Sequence, residues 1–110
     1  MLKHADRGDM IKHIVMFKLL EEVNGKRKEE NLLEICEKAK KLKDLIPAIL
    51  SLEVQINSSE APESNYEFAL ICDFASIEKL NEYQVHPEHI AFGKFITQLR
   101  ELRACIDYEY

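Results

Sequence analysis

Over residues 10–19 the chain alternates, with Ile11, His13, Val15, Phe17 and Leu19 on one face and Lys12, Ile14, Met16 and Lys18 on the other. A period of two is the mark of a β-strand. Asn24-Gly25 then breaks the chain, and the period changes. Over 28–45, Leu32, Leu33, Ile35, Cys36, Ala39, Leu42 and Leu45, followed by Ile46, recur at helical spacing among lysines and glutamates. That pattern predicts an amphipathic helix with one solvated side. Pro47 ends it, because the residue before a proline disfavours helical angles.

The period returns to two over 49–57, where Leu50, Leu52, Val54 and Ile56 alternate with Ser51, Glu53, Gln55 and Asn57. A polar loop over 58–64 containing Pro62 separates this strand from a third over 66–74. In the third, Tyr66, Phe68, Leu70, Cys72 and Phe74 share one face. Ser76 is placed to cap a short helix reaching Tyr83 or Gln84, and Pro87 suits the first turn of another helix running to about residue 99. A last strand is expected over 103–108. The order β-α-β-β-α-α-β predicts an α+β, ferredoxin-like fold: a four-stranded antiparallel sheet with its helices on one face.

That order puts the first and third strands at the centre of the sheet. On the face without helices they offer Ile14, Met16, Ala69 and Ile71. The edge strands are expected to add Ser51, Glu53 and Gln55 on one side and Arg103, Cys105, Asp107 and Glu109 on the other. An apolar centre within a polar ring has the anatomy of a protein interface. A homodimer is therefore expected, two sheets packing face to face into a barrel.

At 110 residues the chain supports a single domain. Residues 1–9 lack periodicity and read as a flexible extension, with Met10 as an alternative start; the domain spans 10–110. A formal charge of −5 argues against nucleic-acid and anionic-membrane partners. No apolar run reaches the roughly 20 residues that a membrane-spanning helix needs. Cys36, Cys72 and Cys105 are odd in number, widely spaced and set in apolar patterns, as expected of small hydrophobes in a reducing, cytoplasmic setting. Three glycines leave little room for phosphate-binding loops.

Tyr83-Gln84-Val85-His86-Pro87-Glu88-His89 places three proton-handling rings within seven residues of a chain with four histidines. His86, before Pro87, is read as a capping or corner residue. Although His86 and His89 are three apart, no further ligands complete a metal site, so no metal and no cofactor are expected. His13 shares its face with Val15 and Phe17 and points towards the helices. His89 falls in register with Phe92, Ile96 and Leu99, and Tyr83 follows Leu80 by three. The three rings then look into one space between sheet and helices, walled by Val15, Phe17, Leu52, Phe68, Leu70 and Phe92, where Gly93 leaves room.

The strand Met10-Ile11-Lys12-His13-Ile14-Val15-Met16-Phe17-Lys18-Leu19, the Ile46-Pro47-Ala48 step and the Tyr83–His89 segment together resemble the stress-responsive A/B barrel (Dabb) family. The resemblance spans residues 10–110 and implies a dimeric α/β barrel. A cyclase of that family closes a linear polyketide into an aromatic acid by aldol condensation, with a tyrosine and a histidine in the same corner segment. Matching the motif places these on Tyr83 and His89, and a pocket histidine on His13. A further pocket histidine of that cyclase falls at or beside Phe68, where this chain has none. Related barrels include monooxygenases; with no tryptophan and no convincing haem ligand, oxygenation ranks below acid–base chemistry here. Two readings stand: a barrel binding a small hydrophobic ligand, with lyase- or cyclase-like activity on a carbonyl or phenolic compound, and a non-catalytic stress or assembly module whose histidines hold the corner.

Overall fold

The computed structural model describes residues 8–110. Most of the expected extension, including His4, lies outside the described residues. Strand β1, Ile11–Leu19, leads into a small hairpin of β2, Glu22–Val23, and β3, Lys26–Arg27. Asn24 and Gly25 form its two-residue turn with φ of 52° and 81°. Asn-Gly tolerates left-handed angles at both positions, so the expected break is a hairpin turn.

Helix α1, Lys28–Leu45, follows at once, and the Glu30 carboxylate accepts from the Arg27 backbone N–H at 3.2 Å. It buries Ile35, Cys36, Ala39 and Leu42 and leaves Leu33 exposed. After Pro47 the chain turns, Ile49 donating to the Ile46 carbonyl at 3.1 Å, and β4 spans Ser51–Ile56. β5 covers Phe68–Phe74, α2 Ile77–Val85, α3 Pro87–Thr97 and β6 Arg100–Glu109. The last strand starts three residues earlier than expected, because α3 already closes at Thr97.

The sheet order is β4-β5-β1-β6, and every pair is antiparallel. This is the expected ferredoxin-like arrangement, with β1 and β5 central. The core lies between the sheet and the helices, where Phe68, Leu70, Phe74, Ile35 and Ile96 are buried. Removing a side chain such as Ile35 down to alanine costs about 2–5 kcal/mol in such a setting. No helix among the described residues is long and apolar enough to cross a membrane.

The register corrects one expectation. Phe17, Val15, His13 and Ile11 stand opposite Arg103, Cys105, Asp107 and Glu109. Residues directly opposite in an antiparallel pair point to the same side. These four β6 residues therefore lie on the helix side of the sheet, not on its uncovered face. Ala104, Ile106 and Tyr108 join Ile14, Met16, Ala69 and Ile71 instead. Polarity misleads here because β6 is an edge strand that the helices only partly cover. Its helix-side residues stay exposed, while Ile106, 59% exposed, faces the open side.

A β-bulge interrupts the same pairing. Lys18 stands opposite Leu102, but Leu19 stands opposite Arg100, so Glu101 is passed over. The extra residue turns Arg100 to the helix side as well.

Candidate functional site

The corner between α2 and α3 is built by His86 and Pro87. His86 ends α2 and caps α3, its Nδ1 accepting from the Glu88 backbone N–H at 3.1 Å. Pro87 fills the first helical position, where its missing N–H costs nothing. His86 is thus spent on the corner, as its sequence position suggests.

The turn brings Tyr83 and His89 into contact, their ring centroids 4.3 Å apart and their planes tilted by 51°. His13 on β1 meets Tyr83 edge-on, with centroids 5.8 Å apart. His13 and Tyr83 are almost wholly buried, at 2% and 1% exposure, and His89 is half-buried. All three line one cavity of about 130 Å³. Of the six expected wall residues, Val15, Phe17, Leu70 and Phe92 line it. Phe68 sits one layer back, its ring 6.0 Å from that of Phe17, and Leu52 packs against the core. Gly93 also lines the cavity, and a Cβ added there meets open space. Ile96, Thr97, Arg100 and Arg103 complete the lining. The last two come from β6, whose facing the alternation pattern misassigns.

Each ring has a defined hydrogen-bonding state. The Gln84 carbonyl can only accept, so His89 donates to it from Nδ1 at 3.1 Å and keeps the lone pair of Nε2 free. Burial lowers the His89 pKa below the ordinary histidine value; the Gln84 bond opposes this, and the charges of His13 and Arg103 add to the lowering. His89 is therefore a neutral imidazole at neutral pH. The Tyr83 hydroxyl has no hydrogen-bond partner among the described residues, on the cavity its side chain lines. Burial pushes its pKa far above the usual phenol range, so it stays protonated. A protonated phenol and a neutral imidazole side by side are one donor and one acceptor of protons.

His13 donates from Nδ1 to Asp107 Oδ1 at 2.5 Å, which fixes the orientation of the ring. The Cys105 thiol lies 3.6 Å from the same nitrogen. A thiol and a carboxylate crowding one nitrogen do not form a nucleophilic relay, which needs one on each side of the ring. Burial, and then the Asp107 charge, raise the Cys105 pKa, so this thiol is not held as thiolate. Nδ1 of His13, the Cys105 sulfur and an Asp107 oxygen lie within 4.8 Å of one another, the set that could meet a metal ion. It supplies three ligands where a closed zinc site takes four, and its nitrogen is already bonded to Asp107. A second cleft of about 210 Å³, between α1 and α3, is lined by Lys38, Lys41, Leu42 and Phe95 and holds none of these rings.

The chain is 25% identical to olivetolic acid cyclase of Cannabis sativa over 99 residues, 89% of this chain and 94% of that protein. A dimeric protein of unknown function with a ferredoxin-like fold from Bacteroides fragilis superimposes with a TM-score of 0.81 at 34% identity, covering 94% of this chain and 99% of that one. Hydroxynitrile lyase from Passiflora edulis shares the fold, with a TM-score of 0.77 at 15% identity over 93% and 94% of the two chains. Residues 11–110 match the family described as the stress responsive A/B barrel domain. The strand bearing His13, the Tyr83–His89 corner and the sheet that joins them all fall within that match, and the chain belongs to this family.

Proposed function

We propose that this protein is a dimeric small-molecule-binding barrel that performs cofactor-independent acid–base chemistry, of lyase or cyclase type, on a carbonyl or phenolic compound. The observation that carries this reading is the Tyr83–His89 pair. The two ring centroids lie 4.3 Å apart in a cavity with apolar walls on one side, one imidazole nitrogen is tied to the backbone, and the phenol has no protein partner among the described residues. Nε2 of His89 takes a proton from the carbon beside the carbonyl. The bonding electrons move onto the carbonyl oxygen, and the Tyr83 hydroxyl donates a hydrogen bond to the enolate that forms. His13, locked by Asp107, orients the bound compound. A small, largely apolar ligand suits walls made by Val15, Phe17, Leu70 and Phe92.

Relatives support the class of chemistry: one similar protein is a cyclase, and another of the same fold is a lyase. Similar solved proteins are dimers, and the uncovered face offers Ile14, Met16, Ala69 and Ile71, extended by Ile106, for such a contact. Three free thiols fit a cytoplasmic setting. A non-catalytic module with structural histidines accounts for His86, which caps a helix. It leaves the unpartnered Tyr83 hydroxyl and the cavity beside it without a purpose.

Solvent-deuterium exchange at the benzylic carbon of phenylacetone, followed by NMR, tests the proposal. Wild-type protein is expected to exceed buffer, and His89→Gln to lose about 10²–10⁴ of that rate. Exchange no faster than buffer, or equal in His89→Gln, rejects it.

A further inference from the structure

We propose that the ligand of this cavity carries a carboxylate and that Arg100 and Arg103 bind it at the cavity mouth. The inference rests on reading the cavity as a ligand site and names the class of ligand it takes. Residues three apart on a regular strand face opposite ways. Here the bulge at Glu101 sets Arg100 opposite Leu19 while Arg103 stands opposite Phe17, so both turn to the helix side. Both line the same cavity as Tyr83 and His89. Bulges beside functional sites re-aim side chains in this way.

Among the described arginines, Arg27 is paired with Glu29, whereas the two that line the cavity are not; several surface lysines are also unpaired, but none of them lines this cavity. The chain has 20 acidic residues against 15 basic ones, so carboxylate partners are abundant. Lys12 is paired with Asp73, and Lys18 and Lys28 with Glu67. Neither Arg100 nor Arg103 forms an ion pair with a described carboxylate. Asp107, a carboxylate on the same face, is held by His13 at 2.5 Å. Two guanidinium groups without acidic partners, lining a cavity that also has the apolar walls Val15, Phe17, Leu70, Phe92 and Ile96, match a ligand with an anionic head and an apolar body. Planar guanidinium groups bind a carboxylate through paired hydrogen bonds. The volume agrees, since a cavity near 150 Å³ takes up benzene, and this one, of about 130 Å³, is close to that size. A ring fits inside while its carboxylate stays at the arginines, and the rest of the compound is directed towards Tyr83 and His89.

The test uses benzoate and benzamide, nearly equal in shape and different in charge, titrated into the isotope-labelled full chain at low ionic strength. Both are expected to shift the Tyr83 and His89 resonances, with benzoate bound about tenfold or more tightly. Arg100→Gln combined with Arg103→Gln should erase that preference, bringing the benzoate affinity down to that of benzamide in the same variant. Both arginines sit on a strand with substantial exposure, so the fold is expected to survive, and each single variant provides a check. Equal affinity for the two probes in wild type, or a benzoate preference that persists in the double variant, overturns this inference alone. Failure of both probes to enter the cavity overturns the ligand-site reading together with it.

Discussion

At the corner, His89 spends one nitrogen on the Gln84 carbonyl and keeps the other for the cavity, while the Tyr83 hydroxyl is spent on nothing in the described fold. No buried side-chain oxygen or nitrogen among the described residues lacks a partner, so the Tyr83 hydroxyl opens onto the cavity its side chain lines, where it can donate to a bound molecule. The protonation states follow from burial. Because the His89 pKa is lowered in the fold, the unfolded chain binds the proton more readily as pH falls below the ordinary 6.5. The contribution of His89 to stability is then complete above pH 6.5 and is lost as pH falls towards the lower folded value. Urea unfolding between pH 5 and 8 should show stability declining over that acidic range in wild type, with a shallower decline in His89→Gln. The same lowered pKa predicts a reaction rate already on its plateau at neutral pH.

The elements were legible to different degrees, and the reasons are physical. Helix α1 occupies the 28–45 span its apolar spacing predicts, because a long amphipathic helix records its buried face in its own sequence. The central strands were equally clear, since Val15, Phe17, Leu70 and Phe74 must all be buried. The edge strand β6 was not. Its facing is set by pairing with β1, and its partial cover lets Arg103, Cys105 and Asp107 lie on the helix side while still exposed. The rings of the site could therefore be read from the chain, whereas the Asp107 partner of His13 and the two arginines could not. The bulge that turns Arg100 inward leaves no trace in polarity. Helix α3 supplies a prediction at this scale. Gly93 sits in the helix interior, where alanine is ordinarily favoured by about 0.5–1 kcal/mol, and nothing obstructs a Cβ there. Gly93→Ala should raise stability by about that amount in chemical denaturation. Gly93→Leu, which reaches further into the cavity, should weaken ligand binding by an order of magnitude or more without unfolding the chain. A destabilised Gly93→Ala would show that the space is not free.

Across the whole molecule the sheet divides two tasks between its faces. The helix side holds the core and the cavity. The open side gathers Ile14, Met16, Ala69, Ile71 and Ile106, bordered at one end by a polar group in which Asp73 receives Lys12 at 3.0 Å, Tyr110 at 2.5 Å and the Ser51 hydroxyl. An apolar centre with a polar rim is what a dimer contact needs, and stable contacts of this kind bury about 1,200–2,000 Å² in total. Ile106→Lys, like Ile71→Lys, should give a monomer or an aggregate in sedimentation velocity, because a lysine there buries an unpaired charge. An unchanged dimer would place the contact elsewhere. On the proposed function, assembly belongs to one face and chemistry to the other, and Tyr83 serves the chemistry. Tyr83→Phe removes one oxygen atom and no described hydrogen bond. Its unfolding free energy should stay within about 0.5 kcal/mol of wild type, while phenylacetone exchange on the same sample falls about a hundredfold. A marked loss of stability with exchange unchanged would contradict the account and make Tyr83 part of the corner.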